Sequence, residues 1–419
     1  MNLKIRLSVL NFLEFGVWGA YLTSMGTYLA GVGMASNIGF FYSVQGMVSL
    51  FMPALMGIIA DRWIQAQRLL SICHFLAGAF MLGACCYGVT SGTDVQFTLL
   101  FTLYTLSIAF FMPTIALSYS VAYSALEKNG LDTVKAFPPI RIWGTIGFIA
   151  SMWLVDLCGW QSTALQFGWS GLLSILMAIY SLTMPQCEIK ASASTSMVDA
   201  LGLRAFALFK DYRMAIFFAF SFLLGVCLQI TNGFANPFIS AFGEIEEYAN
   251  TFGVQHANIL ISLSQVSETL CILLIPFCLK KFGIKYVMLM SMMAWVFRFG
   301  FFGLGNPGDG VWLFLLSMIV YGVAFDFFNV SGSLYVNQET DTSMRSSAQG
   351  LFMMMTNGFG AMFGTLAAQA IISKYVFDLQ GATSEEIIAG WDFCWFLFAG
   401  YALVTAIAFA ILFKAPKKN

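Results

Sequence analysis

The residues able to do chemistry in this chain stand inside long apolar runs, where each is costly. Asp326 sits within Met318-Ile-Val-Tyr-Gly-Val-Ala-Phe-Asp-Phe-Phe-Asn-Val-Ser-Gly-Ser333. Even low estimates put Asp at the centre of a membrane helix at about 2.5–3.5 kcal/mol, so such a residue normally faces a partner or a water-filled cavity. Helical spacing places Gly322 and Asn329 on its face, with Tyr321 and Phe325 stacked beside it at i and i+4. Gln265 and Glu268 share a second helical face next to Ser262 and Ser264, and Gln229, Asn232 and Asn236 share a third. Arg141, Thr145 and Phe148 align a cation, a hydroxyl and a ring in one stripe. Glu14, with Asn11 on its face and Trp18 one turn on, either lines a cavity or bonds a neighbouring helix.

Dry surroundings favour a neutral carboxyl, whereas an approaching guanidinium favours the carboxylate. Asp326 is therefore the first candidate to carry a proton, Arg141 the group expected to switch it, and Glu268 a second proton site or a ligand acceptor. Arg141 follows Pro138 and Pro139 by about one turn, so it either points into a cavity or snorkels to the membrane surface. Arg298 has no polar companions in its own run and is expected to be structural.

Composition dictates what positions these groups. Of 419 residues, 59% are hydrophobic and 10% charged, which excludes a soluble globular domain. A window of about 20 residues, the length of a helix that crosses hydrocarbon, picks out twelve apolar segments: 7–30, 38–60, 68–89, 97–125, 139–158, 163–185, 213–240, 254–279, 284–304, 311–336, 347–372 and 390–413. With both termini cytoplasmic, all but three of the 20 Lys and Arg fall in cytoplasmic segments; Lys374 is outside, and Arg141 and Arg298 lie within spans. The outer segments carry acids instead, as in Glu244-Ile-Glu-Glu247, so a net charge of -1 conceals a strong polarity and gives no sign of nucleic acid binding. The first apolar run contains Asn11 and Glu14 and is too long for a signal-peptide core, so it is expected to be a retained span. Nine scattered cysteines show neither metal-ligand nor disulfide spacing.

The loop after Pro185 holds Ala-Ser-Ala-Ser-Thr-Ser and then an amphipathic piece, Met197 to Lys210. It divides the chain into an N-terminal six-helix half (1–185), a cytoplasmic linker (186–212) and a C-terminal six-helix half (213–419). Two such halves are a common transporter plan, with the site near mid-membrane between them. The loop after the second span contains Gly57-Ile-Ile-Ala-Asp61-Arg62, which resembles the signature of the major facilitator superfamily, a charge latch formed here by Asp61 and Arg62. The fold class implied is an all-α polytopic membrane protein of twelve transmembrane helices.

A cavity built from carboxamides, rings and carboxylates suits a flat, hydroxylated solute. Carboxamides offer a donor beside an acceptor, rings stack, and carboxylates accept from hydroxyls. Nucleosides and sugars both fit. The chain as a whole resembles the bacterial nucleoside:proton symporters of the same superfamily. The motifs that carry the resemblance include Phe137-Pro-Pro-Ile-Arg-Ile-Trp-Gly-Thr-Ile-Gly-Phe148, Gln229-Ile-Thr-Asn232, Ser264-Gln-Val-Ser-Glu-Thr269 and Val320-Tyr-Gly-Val-Ala-Phe-Asp-Phe-Phe-Asn329. What this implies is proton-coupled import of purine and pyrimidine nucleosides such as uridine and adenosine by alternating access. The implied setting is the bacterial inner membrane, with no cofactor or metal and a monomeric chain. The implied pocket is Arg141, Thr145, Phe148, Gln229, Asn232, Gln265, Glu268, Tyr321, Phe325 and Asp326. The other readings are a proton–sugar symporter, a receptor that binds without transport, and an intramembrane serine hydrolase suggested by Gly168-Trp-Ser-Gly171. For the last, His74 and His256 are expected near opposite ends of their spans, poorly placed as bases.

Overall fold

The computed structural model describes residues 2–189, 203–341 and 345–414, of which the side chains at 61, 134, 203, 204 and 346 are left aside. Every long element is a helix, as twelve apolar segments in a medium without hydrogen-bonding partners require. In order these are α1 (Leu3–Gly19), α2 (Met25–Gly31), α3 (Ile38–Arg62), α4 (Ala66–Ser91), α5 (Phe97–Lys128), α6 (Thr133–Leu157), α7 (Leu165–Ser181), α8 (Tyr212–Leu228), α9 (Ile230–Ala241), α10 (Ala257–Ile272), α11 (Ile275–Phe282), α12 (Ile284–Leu304), α13 (Val311–Glu339), α14 (Arg345–Met353), α15 (Ala361–Ile372) and α16 (Ser384–Leu412). Among the described residues, nine runs are long and apolar enough to cross a membrane, and the bent pair α10–α11 makes a tenth. The first segment, α1 with α2, and the 17-residue α7 complete the twelve.

Several spans depart from continuous helix, for local reasons. The eighth bends by 54° between α10 and α11. There Pro276 brings its ring against the carbonyl of Ile272, the last residue of α10. The first breaks over residues 20–24, where the Ser24 hydroxyl donates to Gln166 at 2.9 Å. The seventh is interrupted at Gln229. Met354–Gly360 and Ser373–Phe377 on either side of α15 are π-helical. The fifth span begins earlier than the prolines suggest. It opens at Thr133, and Pro138 and Pro139 occupy its second turn. Arg141 is consequently in the third turn.

The chain divides into two compact units, residues 1–34 with 47–201 and residues 35–46 with 202–419. In the first unit, α1 lies on α6 and α4 on α7. The α1–α6 crossing is close enough that a Cβ on Gly147 would sit 2.1 Å from the Phe12 carbonyl oxygen. In the second unit, α13 packs against α10 and α12, and α12 against α16. Residues 35–46 join this unit through Gly39, whose N–H donates to Gln369 Oε1 at 2.6 Å. Of the linker, residues 190–202 lie outside the described residues, so the amphipathic reading of 197–210 is visible only as a 3-10 helix over Leu203–Lys210. Asp211 then caps α8 by accepting from the N–H groups of Arg213 and Met214.

Large apolar side chains such as Leu273, Val404 and Ile411 are exposed, while Asn11, Glu14, His74, Asn236, Asn258 and Arg298 are buried. That inversion of the soluble pattern is what a hydrocarbon solvent imposes.

Candidate functional site

In the second unit the polar and aromatic faces of α9, α10, α12 and α13 meet around Arg298. Its side chain is 2% exposed. Nη1 donates to the Ser317 carbonyl at 2.8 Å and to Ser264 Oγ at 3.3 Å, and Nη2 donates to Thr231 Oγ1 at 3.2 Å. The guanidinium also lies over the Tyr321 ring, 4.4 Å from its centroid. One planar fork therefore ties three neighbouring helices to α12, a geometry for which Arg is suited and Lys is not. Arg298 has no polar companions in its own run, and those it has come from other helices. The signal for it was the intramembrane cation itself.

Four of the predicted residues of this unit, Tyr321, Phe325, Glu268 and Asp326, connect to that hub through Tyr321. Tyr321 and Phe325 stack with centroids 5.7 Å apart and planes 15° apart, and Trp295 meets Tyr321 edge-on. Glu268, Arg298 and Asp326 all lie within electrostatic reach of Tyr321. Asp326 is 5% exposed. It follows Gly322 by one turn, on the face where a Cβ at Gly322 would sit 2.5 Å from the Ser267 carbonyl oxygen. That close approach brings Asp326 to α10, within electrostatic reach of Cys271. Asn232 Nδ2 donates to Gln229 Oε1 at 2.9 Å across the break between α8 and α9, and both are half-buried. Asn236 separates from them: it is fully buried and donates to Asn258 Oδ1 at 2.8 Å. Gln265 and Glu268 are half-buried on α10. Phe325 and Asn329 also line a small cleft with Leu228 and Thr356.

In the first unit, Arg141 is turned inward rather than toward the end of α6. Its Nε donates to the Tyr119 hydroxyl at 2.6 Å, and its guanidinium lies 3.9 Å from the Phe15 ring centroid. Gly144 leaves the room this needs, since a Cβ there would approach both Phe15 and Arg141 within 2.8 Å. Thr145 is half-buried, and Phe148 is buried edge-on against Trp18 at 6.3 Å. Arg62 is exposed at the end of α3. The side chain of Asp61 lies outside the described residues, and with it the geometry of the latch.

The hydrolase reading fails on its nucleophile. Ser170 is fully buried and its hydroxyl donates to the Val17 carbonyl at 2.8 Å, a bond between α7 and α1. His74 is not at the end of its span; it is fully buried in the third turn of α4 and engages Ser174 and Glu14 instead.

The family model described as nucleoside H+ symporter matches residues 1–418. The chain belongs to the nucleoside H+ symporter family. It is 46% identical to the xanthosine permease of Escherichia coli over 418 residues, covering 99% of this chain and 96% of that one. It is 44% identical to the nucleoside permease NupG of the same organism over the same shares. The crystal structure of NupG matches with a TM-score of 0.89, covering 99% of this chain and 100% of that one. A D-xylose-proton symporter, 12% identical, shares the fold with a TM-score of 0.71 over 98% of each chain. These relatives are permeases, and this member of the family is a multi-pass membrane transporter rather than an enzyme.

Proposed function

We infer that the protein imports purine and pyrimidine nucleosides together with protons by alternating access. The observation that carries this reading is the family match across the whole chain. The second unit supplies suitable chemistry. The Tyr321–Phe325 stack offers a face to a nucleobase, and the carboxamides of Gln229, Asn232 and Gln265 offer paired donors and acceptors to its edge. Glu268 accepts from sugar hydroxyls. Asp326, buried beside α10, carries the proton. Arg298 touches none of these ligands' atoms in this scheme; it positions Tyr321. In the first unit, Arg141, Thr145 and Phe148 take the nucleoside-binding role that the family resemblance implies, and Asp61 with Arg62 forms the latch.

Uridine and adenosine are the proposed substrates, and a monomer of two six-helix halves, 1–185 and 213–419, the working form. The distribution of Lys and Arg supports an inner-membrane orientation with both termini cytoplasmic.

Uptake of labelled uridine into liposomes holding the purified protein tests the reading. Accumulation is expected with an imposed inward proton gradient and is expected to vanish with an uncoupler. Equilibration that ignores the gradient would leave a uniporter, and no uridine entry would return the sugars to consideration.

A further inference from the structure

The first unit contains a buried ionisable pair that the scheme above does not use. Glu14 on α1 and His74 on α4 are both fully buried, with Glu14 Oε2 2.9 Å from His74 Nε2. His74 Nδ1 lies 3.0 Å from Ser174 Oγ on α7, and that hydroxyl also reaches the His74 carbonyl at 2.8 Å. The Thr114 hydroxyl on α5 reaches Glu14 Oε1 at 2.7 Å and the Phe111 carbonyl of its own helix.

Each hydroxyl thus carries one proton and has two acceptors in reach, and this lets the cluster hold two protonation states without moving a heavy atom. In the loaded state Nδ1–H donates to Ser174 Oγ, Ser174 donates to the His74 carbonyl, and a second proton bridges Nε2 and Oε2. The pair is then neutral overall. In the unloaded state Ser174 rotates to donate to Nδ1, Nε2–H donates to the Glu14 carboxylate, and Thr114 donates to Oε1. One proton has left, the charge is -1, and every polar atom keeps a partner. Unmade hydrogen bonds at a buried site cost about 1–3 kcal/mol each, so a site satisfied in both states exchanges a proton without that penalty.

We propose that Glu14 and His74 form a second proton-binding site, separate from Asp326, which takes up and releases one proton in each transport cycle. This rests on the proton-coupled reading above. The surrounding groups suit it. Cys73 on α4 and Tyr119 on α5 lie within electrostatic reach of Glu14, and Arg141 on α6 bonds Tyr119 and stacks on Phe15, the neighbour of Glu14. From α7 comes Ser174; the ionisable group of that helix, Tyr180, donates instead to the Arg6 carbonyl. Arg141 is thus a cation of α6 seated against α1 at the residue next to Glu14.

Limiting accumulation of uridine in liposomes, with the membrane potential clamped at zero and a one-unit inward pH gradient, tests the proposal. Each coupled proton multiplies accumulation by about tenfold per pH unit. The double substitution Glu14→Gln with His74→Gln keeps hydrogen-bonding side chains at both positions but removes both titratable groups, so its limiting accumulation is expected to be about tenfold below that of the unsubstituted protein, with uridine counterflow retained. Equal accumulation in the two proteins overturns the proposal alone. An unsubstituted protein indifferent to the gradient overturns the proton-coupled reading and the proposal with it. Should the Gln variant not fold, His256→Gln leaves His74 as the one imidazole of the chain. Infrared difference spectra of that variant across the pH range over which it stays folded are expected to show ring and carboxyl bands changing together. Bands that stay constant across that range overturn the proposal.

Discussion

The guanidinium of Arg298 lies 4.4 Å from the centroid of the Tyr321 ring, with Phe325 stacked on Tyr321 one turn further along α13. The same guanidinium is held by Ser317, Ser264 and Thr231. The orientation of the stack is therefore fixed by a residue on another helix.

Arg298→Lys keeps the charge but gathers its three donors on one nitrogen, so it cannot reach partners spread across a planar fork or cover a ring with a flat cation. Hydrogen bonds to charged groups are worth about 1.5–3 kcal/mol each. The variant is expected to lose one or two of them, lowering Tm in detergent, and to bind uridine more weakly because Tyr321 is less constrained. Scanning calorimetry and a binding titration check this, and unchanged values for both would leave Arg298 without a positioning role.

Asp326→Asn retains shape and hydrogen bonding while removing the ionisable group. Concentrative uptake is expected to fall at least about tenfold per unit of pH gradient, while exchange of external for internal uridine continues. If the variant accumulates uridine like the parent, Asp326 does not carry a coupled proton.

Phe325→Ala removes half of the aromatic stack. Such pairs contribute about 0.5–1.5 kcal/mol beyond buried area, so uridine affinity is expected to drop about 2- to 13-fold with proton dependence preserved. Gln265→Ala, which removes one donor–acceptor pair, is expected to weaken binding by a similar factor. Wild-type affinity in both variants would move the pocket away from α10 and α13.

Gly322→Ala places a methyl group 2.5 Å from the Ser267 carbonyl oxygen, where backbone and not a mobile side chain must yield. Overpacking of this kind costs about 1–3 kcal/mol. Separation of α13 from α10 is expected to lower both Tm and coupling, because Asp326 lies one turn along the same face. A variant with unaltered thermal stability would show that the crossing is looser than this geometry.

The sequence displayed the spans, the inward polar faces and the Tyr321–Phe325 pair, because each depends on hydropathy or helical spacing within one segment. It hid what depends on two segments. Arg298 looked isolated because Thr231, Ser264 and Ser317 stand on other helices. Glu14 remained ambiguous for the same reason: its partner His74 is on α4. The third-turn position of Arg141 was obscured by prolines that ordinarily open a helix and here lie inside one.

The π-helical run Met354–Gly360 separates two anchored faces. Before it, Phe352 stacks on Phe217; after it, Gln369 holds the backbone of Gly39. A π turn takes up more residues than an α turn, so the run acts as a phase shift between those anchors. Deleting a single residue from it would let ordinary α-helix form throughout with the two anchors close to their present relative orientation, whereas α-helix of unchanged length would rotate one anchor relative to the other by about 100°. The run thus stores one extra residue of chain while both helical faces stay on their anchors, and straightening it at constant length is what would disengage a whole face.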